Sequence, residues 1–148
     1  MTLQDLQKLF PESTWHQHPN GGGWVENTAS VEFSAYVGPD ALVYGNARVF
    51  RYALVSGNAQ VYGHAWVFGN ASIYGDARVY GYAQVYENAL VYGDAEVSEN
   101  SHVSGNASVY GDARVYGNAV VYGNAWVSGY ISVHGLNQWD GKNEYTNR

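Results

Sequence analysis

The chain has no cysteine among its 148 residues, so disulfide cross-links and thiolate metal sites are excluded. Basic residues are also sparse. Seven Lys and Arg stand against thirteen Asp and Glu, for a formal charge of −6. Non-specific nucleic-acid binding is driven by clustered Lys and Arg, so no nucleic-acid partner is expected. No segment is apolar over the length that crosses a bilayer, so no membrane partner is expected either. The opening Met-Thr-Leu-Gln-Asp-Leu-Gln-Lys lacks the apolar stretch of a secretory signal, and cytoplasmic residence is the expectation. Threonine occurs only at 2, 14, 28 and 146, which leaves no Thr ladder for an ice-binding face.

What is present is a period of six. Read from Val25, every sixth position to Val127 is Val, with Ile73 the one substitution, and four positions after each comes Ala, except at Ser101 and Ile131. The run covers 108 residues without an insertion, and its consensus is Val-Tyr-Gly-Asn/Asp-Ala-x, as in Val115 to Val120. A short fixed period is the signature of a solenoid. Within Ala-x-Val-Tyr the side chains alternate, so Ala and Val face one side while x and Tyr face the other. Gly-Asn or Gly-Asp then supplies two residues tolerant of positive φ, as a tight corner requires. Three such strands per coil use eighteen residues and make six coils, a column about 29 Å tall at the usual strand spacing.

The aliphatic residue with a small residue four places later, as in Val43 and Ala47, closely resembles the hexapeptide-repeat left-handed β-helix family. Residues 25–132 carry the resemblance, which implies triangular coils and a left-handed path. The regular Tyr-Gly-Asn-Ala form is also similar to short repeat proteins of phages and bacteria often labelled putative acetyltransferases. Many relatives are trimeric acyltransferases, and a smaller group resembles γ-class carbonic anhydrases. The expected fold is therefore all-β, a single-stranded left-handed parallel β-helix of about six triangular coils with a short N-terminal capping helix.

Three segments follow. Residues 1–24 read as an N-terminal cap: Thr2 and Asp5 form a capping box, and Leu3, Leu6, Leu9 and Phe10 share a helical face that ends before Pro11, suited to covering the open end of the first coil. His16 and His18 lie two residues apart in the following loop, but without a third ligand they read as surface residues. Residues 25–132 are the β-helix, and 133–148 are a C-terminal cap and tail, with Leu136 and Trp139 closing the bottom and the polar stretch from Asp140 to Arg148 loose.

Positions eighteen apart stack, which sorts the outward residues into three faces. Arg78, Glu96 and Arg114 form a charge ladder on the first. The third carries Tyr36, Leu54, Tyr74, Leu90, Tyr92, Tyr110 and Trp126 with no charged strand residue, and an uncharged aromatic face suits an oligomer interface. Together with the trimeric habit of the relatives, this predicts a homotrimer packed through that face. On the other two faces the aromatic residues are accounted for by strand preference alone. The corner column Asp40, Asn58, Asp76, Asp94 and Asp112 could attract calcium, although turn preference explains it more simply. His64, His102 and His134 fall on a corner and two different faces, so no metal site is expected and the carbonic anhydrase resemblance does not extend to its ligands.

One coil departs from the rule. Val97 to Asn106 loses Tyr at Ser98 and Ser104, replaces a corner Gly by Glu99 and the usual Ala by Ser101. Small residues between Tyr80 and Tyr116, and between Tyr86 and Tyr122, predict a notch with Glu99 and His102 at its corner. These eight positions, Tyr80, Tyr86, Ser98, Glu99, His102, Ser104, Tyr116 and Tyr122, are the candidate ligand-binding residues; repeat drift is the bland alternative. The favoured reading is a non-enzymatic homotrimer that binds or sequesters a small polar ligand, a sugar or a nucleotide, with no cofactor. The resemblance implies an alternative, an acyltransferase with His102 as general base and acyl-CoA as co-substrate, although the uninterrupted repeat lacks the long external loop that usually completes such a site. A stiff structural rod is the third reading.

Overall fold

The structure, a computed structural model, describes residues 1–142. It is an all-β parallel solenoid of about six coils with one short N-terminal helix. Each hexad contributes a strand of two residues, x and the aliphatic residue, and successive hexads fall on three sheets in turn. The first parallel strands are β2 (Trp24–Glu26), β3 (Ser30–Val31) and β4 (Tyr36–Val37), one for each sheet. Register is eighteen throughout: Gln84 pairs with Trp66 above and His102 below, and Ile73 with Val55 and Val91.

The strands are shorter than the four residues read from the repeat, yet the ladder is wider than the strand. Besides the x-position N–H, those after the aliphatic residue and at the second corner position also donate to the next coil: Gln84 to Ser101 O, Tyr86 to Val103 O, and Asn88 to Gly105 O, at 2.9–3.0 Å. The corner closes with Ala89 N–H donating to Tyr86 O. Positive φ falls only on the first of the two corner residues, glycine in most hexads, with Arg51, Glu87 and Glu99 the non-glycine cases. A Cβ on Gly81 would lie 2.8 Å from the backbone N of Glu99 in the coil below, so close stacking restricts this position as well as φ.

The core is a column of fully buried Val and Ala, including Val43, Val61, Val79, Val97 and Val115 on the first sheet alone. Each buried Val contributes about 1.5–3 kcal/mol before chain entropy is counted. Strand register continues past residue 132 through Ser132–Val133 and Gln138–Trp139, and Trp139 packs against the core from the aliphatic position. Leu136 points outward from its corner and does not help to close the bottom. Residues 143–148, most of the tail read as loose, lie outside the described residues.

At the N-terminal end, α1 (Leu3–Leu9) has the expected capping box, with the Thr2 hydroxyl accepting from Asp5 N–H and the Asp5 carboxylate accepting from Thr2 N–H. The Thr2 N–H and, after it, the Thr2 hydroxyl, both donating to the Asp5 carboxylate, hold that carboxyl below its ordinary range. The helix does not cover the open end. Its buried face, Leu6 with Phe10, packs on Trp15, Trp24, Leu42 and Tyr44, which are outward residues of the first sheet and its extension. The end is met by the loop instead. β1 (Trp15–Gln17) adds antiparallel to β2, and Asn20 and Gly23 exchange backbone hydrogen bonds with Val37 on the third sheet. His18, expected at the surface, is 2% exposed, with Nε2 2.7 Å from Ala35 O. His16 remains exposed beside Asn27.

Candidate functional site

Aromatic ladders run down each sheet, because the residue after each Val stands outward in eighteen-residue register. On the first sheet Tyr44, Tyr62 and Tyr80 stack at 4.7 and 4.9 Å with rings within 3° of parallel; on the second, Phe50, Phe68 and Tyr86 stack at 4.7 and 5.0 Å. Burial, with Tyr62 beside it, pushes the Tyr44 hydroxyl up to about 12, and burial followed by Tyr80 raises that of Tyr62. Both ladders stop at the irregular coil. Ser98 follows Tyr80 and Ser104 follows Tyr86; below the break, Tyr116 stacks on His134 and Tyr122 stands exposed.

The two serines are covered by their surroundings, at 8% and 6% exposure. Ser101, in the usual Ala position, is fully buried, and its hydroxyl donates to Ser98 O at 2.7 Å. Glu99 takes left-handed backbone, φ 58, and its carboxylate accepts from Gly117 N–H at 2.8 Å. It thus serves the corner of the next coil. His102 is half-buried on the second sheet, edge-on to Tyr86 with ring centroids 6.1 Å apart.

His102 opens away from the serines. It lines a cleft of about 390 Å³ with His64, Trp66, Tyr82, Gln84 and Asn100. Of the candidate ligand residues, the cleft contains His102 alone. His64, Tyr82 and Asn100 occupy the second corner position of successive coils between the first and second sheets, and Trp66, Gln84 and His102 occupy the x position of the second. The cleft therefore straddles a corner. His64 stacks on Tyr82 at 4.8 Å and 4°, and the Arg48 guanidinium sits 5.2 Å above the Trp66 ring, a cation–π contact that fixes the indole. A usable signal was present in the sequence: His64 and Tyr82 stand where most hexads have Asn or Asp.

The remaining groupings fall elsewhere. Glu96 pairs with Arg114 at 3.4 Å, with Arg78 in register on its other side. Among the described residues, no group of three or more His, Asp or Glu is placed to hold a metal ion. The third sheet carries Tyr74, Tyr92 and Tyr110 stacked at 4.8 and 5.0 Å, half-buried Tyr36, Leu54 and Leu90, and Trp126 at 65% exposure. Its outward strand positions bear no charge.

A family model described as the YdcK beta solenoid repeat matches residues 41–57, 71–87, 83–99, 107–123 and 113–129. The chain is a β-solenoid repeat protein. In those coils it is similar to that family's repeat, and the starts of the matched units are separated by multiples of six, the period of the hexads. No curated protein and no solved structure matches the chain.

Proposed function

We propose that this β-solenoid is a non-enzymatic binding module that holds a small polar ligand in the cleft beside His102, and that it does so as a homotrimer packed through the third sheet. The observation carrying the ligand reading is the cleft itself. It joins two exposed aromatic rings to two amides and two imidazoles, and reaches the coil in which the repeat departs most from its consensus. Rigid aromatic surfaces with a few orienting polar groups are how small-molecule sites gain affinity at low entropic cost. What supports the trimer is the uncharged third face with its tyrosine ladder and protruding Trp126.

Native mass spectrometry of the purified protein tests both parts. The expected species is three times the 16.2 kDa chain mass, with an additional small mass that is lost in His102→Ala. A bare monomer that retains nothing leaves the structural rod as the reading. Release of free coenzyme A from acetyl-CoA, reduced about a hundredfold or more by His102→Ala, would instead establish the acyltransferase.

A further inference from the structure

We infer that the cleft is a site for a neutral oligosaccharide of two sugar rings lying along the solenoid axis. This deepens the binding-module reading and rests on it. The walls of the cleft are two columns in register, His64, Tyr82 and Asn100 on the corner and Trp66, Gln84 and His102 on the sheet. Three coils at the usual strand spacing give a straight groove about 10 Å long. Two rings joined end to end fill such a groove, and a single ring does not.

The chemistry of the lining selects the class. Neither column carries a carboxylate, an ammonium or a guanidinium group. The amides of Gln84 and Asn100 each offer donors and an acceptor, and a neutral imidazole offers one of each. That inventory matches hydroxyl groups, which also donate and accept. Trp66, 37% exposed, and Tyr82, 60% exposed and stacked on its other side by His64, supply apolar ring surface for the C–H groups of a sugar. A nucleotide would bring a phosphate for which the groove has no cation, on a protein of formal charge −6. The nearby Arg48 guanidinium lies over the Trp66 ring and is not part of the cleft lining.

The groove is held in shape before a ligand arrives. Tyr82 is stacked on His64, Trp66 is fixed between Arg48 and the edge of Phe50, and His102 leans on Tyr86. Little rotamer freedom remains to be lost on binding. The groove is also bounded. Arg48 precedes Trp66 in the sheet column and Val120 follows His102, so the polar and aromatic run is three coils long.

The experiment is backbone amide NMR of the isotope-labelled protein titrated with cellobiose, a neutral and extended disaccharide, and separately with AMP. Saturable shifts from cellobiose are expected at residues 64–66, 82–84 and 100–102. Trp66→Ala and Gln84→Ala, both at outward positions, should each weaken cellobiose by about tenfold or more, while Leu136→Ala, at an exposed corner with no assigned role, should leave it unchanged. Spectra of the free variants would show that the solenoid remains folded. AMP moving those amides while cellobiose does not would overturn the saccharide assignment and keep the module reading. Cellobiose shifts that lie elsewhere, or that survive both substitutions, would overturn the assignment as well. Silence from both probes also overturns it; a different molecule retained in the native mass would show that the module reading stands without it.

Discussion

A hydroxyl group introduced at two neighbouring core positions should have opposite consequences, although both sites are fully buried. Ala83 immediately precedes the strand Gln84–Val85, and Ala83 and Val85 both face the axis. At the Ala position the fold already contains a solution: Ser101 donates its hydroxyl to Ser98 O at 2.7 Å and lies 3.3 Å from Val115 O. In Ala83→Ser the equivalent acceptors are Tyr80 O and Val97 O, whose second lone pairs remain usable after Ala83 N–H and Tyr80 N–H have bonded to them. The cost should be close to zero. Val85 stacks between Val67 and Val103 within a lining of Val and Ala, so the nearly isosteric Val85→Thr buries a hydroxyl with no side-chain partner. An unsatisfied buried group costs about 1–3 kcal/mol. At roughly 2–4 °C per kcal/mol for a chain of this size, Val85→Thr should lower the melting temperature by about 2–12 °C, and Ala83→Ser by clearly less, close to zero. Thermal unfolding followed by circular dichroism reads both. Equal losses, or a larger loss in Ala83→Ser, would refute the reasoning, because the two inward positions would then not differ in access to carbonyl oxygens.

Three other outcomes are expected. Leu90→Asp with Tyr92→Lys places charges on the uncharged third sheet and should convert trimer to monomer in analytical ultracentrifugation; wild-type protein sedimenting as a monomer would remove the basis for the interface. Ser98→Tyr with Ser104→Tyr should join the interrupted ladders and preserve or raise the melting temperature, since each aromatic cross-strand pair contributes roughly 0.2–1 kcal/mol; a clear fall would show that the breaks are required for packing. Alkali should destabilise the fold, because the hydroxyls of Tyr44, Tyr62 and Tyr92 all lie above the ordinary 10. The unfolded chain loses these protons first, so stability is intact below pH 10 and declines as pH rises toward 12; Tyr44→Phe should flatten the decline in a melting series.

The coil could be read from residues because its constraints are local and repeated. One inward Val and one inward Ala per hexad leave a single burial pattern, and any slip of one residue would turn every Val to solvent. Register followed from the absence of insertions. The ends were harder for the same reason, since they obey no period. A helix with Leu3, Leu6, Leu9 and Phe10 on one face must bury that face, but the amphipathic pattern does not say against what. Trp24, Leu42 and Tyr44 supplied the alternative surface on the first sheet, leaving His18 and the glycine-rich loop to meet the end of the column.

The site was harder to read because it belongs to no single stacked row: one wall is a corner column and the other a sheet column. Sorting outward residues by face separates His64, Tyr82 and Asn100 from Trp66, Gln84 and His102, although each pair in a coil is only two residues apart. Alternation along an extended strand would send positions two apart to the same side, and here the two rows stand beside each other across the corner and line one cleft. The irregular coil drew attention to Ser98 and Ser104 because missing aromatic rings suggest space. Both serines are nonetheless shielded from solvent by their surroundings. The cleft here is bounded by two rows that meet across a corner, and two of its residues, His64 and Tyr82, put a ring where most hexads have Asn or Asp.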